Sequence, residues 1–119
     1  MTGRSEARRR VVVTGFGCVS PLGVNVDATW AGLVAGRSGI RTITRFDTTE
    51  YPVKIAGEIP GELPLGDLSP KEARRLDRFI LLAIAAAREA VEASGLLQAN
   101  IDKTRVGVAV GSGIGGLDT

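Results

Sequence analysis

Val11-Val12-Val13-Thr14-Gly15-Phe16-Gly17 decides the fold class. Four successive β-branched residues, with no polar alternation, lead into a glycine turn. Such a run reads as a strand buried on both faces, the habit of a parallel sheet. Its counterpart near the other end is Val106-Gly107-Val108-Ala109-Val110, which runs into Gly111-Ser112-Gly113-Ile114-Gly115-Gly116. Two helices lie between. Asn25 caps one predicted from about Val26 to Ala35, with Val26, Trp30, Leu33 and Val34 toward one side and Gly36 as its stop. The other opens on Ser69-Pro70-Lys71-Glu72, a capping box with proline at the first helical position. Helical spacing then runs unbroken through Leu76, Phe79, Ile80, Ala83, Ile84, Ala87, Ala90 and Val91, and Gly95 is the left-handed stop. Strand, helix, helix, strand makes a crossover unit with parallel strands, so the chain is of the α/β class. Residues 37–68 show little periodicity and read as an irregular excursion, with a short strand at Val53 to Ile55. A connection of that length commonly covers or builds a site.

This unit reads as incomplete. Phe79 to Ala87 is nine residues without a polar side chain, so the helix is apolar all round there. A helix of that kind belongs inside a larger protein or under a partner. Two parallel strands also make a poor sheet, because both faces need cover. The chain then reaches Leu117-Asp118-Thr119 directly after a glycine-rich turn, the place where α/β proteins set their ligands. Residues 1–119 are therefore expected to be the amino-terminal part of one larger domain.

Composition excludes several functions. The 119 residues contain no histidine, which removes Ser-His-Asp and Cys-His catalysis and any imidazole-dependent metal site from this chain acting alone. A single cysteine, Cys18, allows no internal disulfide and suits a reducing cytoplasm. With no histidine to activate it, Cys18 reads as a small buried hydrophobe rather than a nucleophile. The longest apolar run, nine residues, is half of the roughly eighteen that a membrane span needs. Net charge is +2, but residues 1–45 carry +5, residues 46–68 carry −4 and residues 69–119 carry +1. Bulk charge gives no case for nucleic acid, and Arg8-Arg9-Arg10 abuts a buried strand without any aromatic residue.

The motifs are read against their nearest alternatives. Gly15-x-Gly17-x-x-Ser20 lacks the third glycine of a dinucleotide fingerprint, and Pro21 stands where a helix should be running. Gly111 to Gly116 has the outer spacing of a phosphate loop, but Leu117 and Asp118 occupy the Lys and Ser/Thr positions. Its four glycines still need a cause. Either the backbone takes positive φ, or another surface comes too close for a Cβ atom. Ile114, the lone bulky side chain among them, is then aimed at something specific. Lys71, Arg74, Arg75 and Arg78 recur at helical spacing as one basic stripe. Cations in a first helical turn oppose the helix dipole. An acidic partner and a simply solvated face are both open.

Taken in order, several blocks resemble one family. Arg9-Arg10-Val11-Val12-Val13-Thr14-Gly15-Phe16-Gly17, Ser20-Pro21-Leu22-Gly23, Trp30 and Gly36-x-Ser38-Gly39-Ile40 are similar to the amino-terminal region of β-ketoacyl-[acyl carrier protein] synthases. So are Phe46-Asp47-Thr48, Leu76-Asp77-Arg78-Phe79, Ala93-Ser94-Gly95-Leu96 and Gly111 to Gly116. Each block alone is weak; their ordered recurrence is specific, and it fits best the type II synthases of dissociated bacterial fatty-acid synthesis. The resemblance implies a thiolase-like layered α/β fold, a cytoplasmic homodimer, and decarboxylative Claisen condensation of an acyl thioester with malonyl-acyl carrier protein. It implies no cofactor. The family's catalytic Cys and two His match nothing in this chain, so no catalytic residue is assigned and these residues alone are expected to be inactive. It places Ile114, flanked by Gly113 and Gly115, in the acyl pocket near the dimer interface. Lys71, Arg74 and Arg75 match the patch that contacts the acidic acyl carrier protein. Type II polyketide ketosynthases and non-catalytic chain-length factors share these features.

Overall fold

Asn25 begins the first helix by accepting a hydrogen bond from the Ala28 N–H at 2.8 Å. The computed structural model describes residues 9–116. It contains helix α1 (Val26–Val34), strands β1 (Arg41–Thr42) and β2 (Ile55–Ala56), helix α2 (Pro70–Ala73), helix α3 (Arg78–Ser94) and a single 3-10 turn at Lys103–Arg105. Arg8 of the basic lead-in, and Leu117 to Thr119, lie outside the described residues.

The excursion between α1 and α2 folds into a hairpin. β1 and β2 pair antiparallel, with Arg41 opposite Ala56 and Thr42 opposite Ile55. The short strand expected at Val53 to Ile55 is thus displaced to Ile55–Ala56. The Ile43 N–H extends the ladder by donating to the Lys54 carbonyl at 2.9 Å. The Glu58 carboxylate then clamps the exit of β1. It accepts from the Thr44 hydroxyl at 2.8 Å, from the Thr44 N–H at 3.1 Å and from the Arg45 N–H at 3.2 Å.

Two expectations are corrected. Val11–Thr14 and Val106–Val110 are not paired strands; among the described residues the only sheet is the antiparallel β1–β2 pair. Val11 is 95% exposed and Val108 is 88% exposed. Both segments lack regular structure because a ladder needs neighbouring backbone donors and acceptors, and none of the described segments supplies them. The second correction concerns the long helix. The capping box at Ser69 and Glu72 is present, but the helix it opens closes at Arg74, and α3 starts afresh after Asp77 with extended backbone at φ −61°, ψ 149°. Apolar spacing runs through this break without a missed beat, so periodicity does not reveal it. The sign available in the sequence is Asp77 itself, a favoured helix-cap residue. At the far end the expected stop holds: Gly95 takes φ +66° and closes α3.

α3 is the element on which the chain is hung. A Cβ at Gly15 would lie 2.6 Å from the Ser94 nitrogen and 2.7 Å from the Ala90 carbonyl oxygen, and one at Gly17 would overlap the Ala86 carbonyl oxygen. Ala86, Ala90 and Ser94 lie at i, i+4 and i+8, so they form one small-residue track along the helix. The glycine turn thus runs backbone-to-backbone over that track. One turn along, Glu89 reaches off the helix and accepts from the Cys18 N–H at 3.0 Å and from the Val26 N–H, at the start of α1, at 2.8 Å. A carboxylate at a helix N-terminus also meets the positive end of its dipole.

Little is enclosed. Ala85, 1% exposed, is the one fully buried apolar side chain among the described residues. Trp30, Leu33 and Val34, the apolar side of α1, face solvent, and the helix makes its contact through Gly32 against Leu22. The radius of gyration is 19.4 Å, against the roughly 13–14 Å of a self-contained domain of this length. These residues build a frame with its apolar faces uncovered, as the all-apolar helix segment leads one to expect.

The Glu89 tie is testable. Glu89→Ala removes the acceptor of two charge-assisted bonds in a half-buried position and should cost about 2–4 kcal/mol of stability. Glu89→Gln retains one acceptor oxygen and should lose less, and urea midpoints of the two variants against the parent, measured in the complete protein, check the order.

Candidate functional site

The break between α2 and α3 creates the most strongly charged feature of the structure. Arg74 closes α2, Arg75 and Leu76 form the elbow, and Arg78 opens α3. Bending the chain here opens a cleft of about 550 Å³, whose walls include Arg45, Arg74, Arg75, Asp77 and Arg78 and whose apolar lining includes Leu76 and Leu81. Arg45 arrives from the hairpin, held in place through its backbone by Glu58. The hydrogen bond from the Thr44 hydroxyl is the main reason that the Glu58 carboxyl sits below its ordinary value; the Thr44 and Arg45 N–H groups and the Arg45 charge act in the same direction. The clamp is therefore ionised at neutral pH.

Four arginines and one acidic residue, Asp77, line this cleft. Among the described residues the ion pair is Arg88 with Glu92, at 3.2 Å on the opposite stretch of α3, and none of the four cleft arginines has a carboxylate within ion-pair distance. Of the three docking residues expected from the sequence, the structure brings Arg74 and Arg75 into the cleft and leaves Lys71 exposed on α2, outside its walls. The basic stripe is accordingly not one helix face. It bends at the elbow and gains Arg45, which sequence spacing did not reveal because it comes from a distant loop.

The glycine loop lies next to this elbow. A Cβ on Gly116 would overlap the Asp77 carboxylate, so the end of the loop packs directly against the residue that starts α3. Gly115 takes φ +81°, a conformation that favours glycine, and its N–H donates to the Ser112 hydroxyl at 2.9 Å. Positive φ thus accounts for Gly115 and close approach for Gly116. Around Gly111 and Gly113 no atom of the described chain comes within 4 Å of a Cβ position. Ile114 is 79% exposed and touches no enclosed cavity of its own chain. Cys18 is a half-buried free thiol whose N–H is held by Glu89.

Chemically the elbow can attract and orient anions. No group of three His, Cys, Asp or Glu side chains among the described residues is placed to hold a metal. No helix among them is long and apolar enough to cross a membrane. Glu89 is the structural residue that sequence reasoning missed, because an acid beside Arg88 and Glu92 reads as part of an ordinary solvated stretch of helix.

Comparison with known proteins gives a consistent result. The model of the family described as "Beta-ketoacyl synthase, N-terminal domain" matches residues 8–119. The 3-oxoacyl-[acyl-carrier-protein] synthase 2 of Coxiella burnetii is 48% identical over 110 residues, covering 92% of this chain and 27% of that protein. The protein of the same name from Vibrio cholerae is 47% identical over 112 residues, covering 94% and 27%. Among solved structures, the ishigamide ketosynthase/chain length factor superposes with a TM-score of 0.65 at 46% identity, covering 75% of this chain and 22% of that one. The chain thus spans about a quarter of the length of the curated relatives it matches, 27% in each case.

The cap that opens α2 carries a pH signature. The Ser69 hydroxyl donates to Glu72 Oε2 at 2.6 Å and the Ser69 N–H donates to the same oxygen at 3.0 Å, and these bonds, the hydroxyl's first, hold the Glu72 carboxyl below its usual value. Because the folded value is the lower one, the cap's support is complete above the ordinary carboxylate range and is lost as pH falls through the folded value. The Ser69 amide resonance should therefore titrate with a midpoint below that of a free glutamate, and Glu72→Gln should flatten that titration.

Proposed function

This chain belongs to the β-ketoacyl synthases and has their thiolase-like α/β fold, and on that premise we propose that it is the amino-terminal part of a 3-oxoacyl-[acyl carrier protein] synthase II. In that reading the whole protein, a cytoplasmic homodimer, lengthens acyl chains in fatty-acid biosynthesis. The acyl group passes from its carrier thiol to an enzyme cysteine. Malonyl-acyl carrier protein loses carbon dioxide, and the resulting carbanion attacks the cysteine thioester and expels the thiolate. The nucleophile and the two histidines that favour decarboxylation and steady the developing oxyanion belong to residues beyond these 119. The present residues contribute the α3 frame, one wall of the acyl pocket through Gly113, Ile114 and Gly115, and a docking surface for the carrier through Lys71, Arg74 and Arg75.

The observation that carries this reading is the 47–48% identity, across more than nine-tenths of the chain, to relatives of that one name. The geometry supports it. An acidic carrier needs exposed cations that are not already neutralised, and Lys71, Arg74 and Arg75 are exposed without a carboxylate partner. Ile114 projects from a loop whose neighbouring glycines, Gly111 and Gly113, have open space around them, as a pocket wall completed by other polypeptide requires. A second reading, a ketosynthase or non-catalytic chain-length factor of polyketide assembly, is favoured by the likeness to the ishigamide ketosynthase/chain length factor. The residue at the nucleophile position of the complete protein separates a condensing enzyme, with cysteine, from a non-catalytic factor, with another side chain.

In the complete protein, reversing Lys71, Arg74 and Arg75 to Glu should weaken acyl carrier protein binding by about tenfold or more at low salt, with a smaller difference at high salt. Calorimetric titration reads this, and unchanged affinity would remove the docking assignment. Ile114→Phe should lower activity with long acyl primers more than with short ones. An unaltered chain-length profile would count against the pocket assignment.

A further inference from the structure

We infer that Arg45 and Arg78 extend the carrier-docking surface into a four-arginine cleft that grips a multiply charged acidic face of the carrier protein, so that the hairpin, and not only the start of the helix, reads the partner. This rests on the docking function proposed above and goes beyond it in residues, element and mode.

Three observations carry it. The first is convergence. Arg45 from the hairpin, Arg74 and Arg75 from the elbow and Arg78 from the first turn of α3 line one cleft, although they come from separate elements. The second is incomplete neutralisation: beyond the Glu58 carboxylate, which feels the Arg45 charge, the cluster has few acids near it. Asp77 is the single carboxylate in the walls, and none of the four guanidinium groups is within ion-pair distance of any carboxylate among the described residues. Arg78 also stands in a first helical turn, where its charge opposes the dipole. The third is positioning. The Glu58 carboxylate accepts from the Arg45 N–H at 3.2 Å and from Thr44 beside it, which anchors the backbone from which Arg45 reaches the cleft.

The occupant follows from charge and shape. One carboxylate would leave most of the cluster unbalanced, whereas a helix or loop bearing several acids meets four forked donors, each suited to paired contact with a carboxylate. The cleft, about 550 Å³ and lined partly by Leu76 and Leu81, also admits an apolar side chain between those acids. A small inorganic anion is the alternative guest.

The test uses the complete synthase and an acidic acyl carrier protein. Arg45→Glu with Arg78→Glu should weaken carrier binding by about tenfold at low salt, raise KM for the carrier-borne substrate more than it changes kcat, and lose most of this effect at high salt. Should the double reversal disturb folding, judged by its melting temperature, Arg45→Gln and Arg78→Gln remove charge with little change of volume and should each weaken binding about threefold. Unchanged affinity in these variants, while reversal of Lys71, Arg74 and Arg75 still weakens binding, would overturn the inference and leave the docking function standing. Unchanged affinity in both sets would overturn both. Inorganic pyrophosphate serves as the probe for the small-anion alternative: if it protects the protein thermally at concentrations that do not compete with the carrier, the cleft is an anion site and the inference fails.

Discussion

A single carboxylate, that of Glu89, ties the glycine turn and the start of α1 to α3. Two backbone N–H groups, one leaving the glycine turn at Cys18 and one opening α1 at Val26, donate to its two oxygens. Each is a donor that its own segment cannot satisfy, and leaving such a group unpaired in a half-buried place costs more than the bond itself gains. The bond geometry requires the turn to lie against α3, and the turn does so only because Gly15 and Gly17 present no side chain to the Ala86, Ala90 and Ser94 track. Glycine on one side, small residues on the other and an acid beside them act as one device. The position of α1, and through it the path into the hairpin, follows from that contact.

The elbow between α2 and α3 works by the opposite logic. Where Glu89 satisfies groups internally, the elbow leaves charge unsatisfied. Lys71, Arg74, Arg75 and Arg78, with Arg45 brought in from the hairpin, repel one another and gain no ion pair from the described chain. Folding such a cluster is tolerable at an exposed surface, where water screens it. Its energetic return comes when an anionic surface replaces that water. The break in the helix is part of the arrangement: a continuous helix would carry the stripe along one straight face, whereas the bend turns it into a cleft.

Uncovered apolar surface is the third constraint. Valines at 11–13, 106, 108 and 110 and the Trp30 side of α1 are exposed, and one alanine is fully buried. Hydrophobic burial on that scale does not offset the conformational entropy of ordering a chain of this length. The same surfaces in a β-ketoacyl synthase fold are where further strands and a further layer would pack. The frame seen here is therefore stable to the extent that other polypeptide completes it.

Local punctuation is legible in the chain: the Asn25 cap, the Ser69–Glu72 capping box and the Gly95 stop all follow from side-chain chemistry acting over a few residues. The sequence by itself also carried the family, because ordered motifs survive in linear form. The partner of a strand, the interruption of a helix whose apolar rhythm continues and the arrival of Arg45 beside Arg74 are not local properties. Spacing along the chain records which face a residue shares with its near neighbours, but not which distant segment comes to meet it. That was decided by tertiary structure alone, through the backbone contact of Gly15 and Gly17 with α3 and the Glu58 clamp on the hairpin, where hydrogen-bond demand and steric room act between residues far apart in sequence.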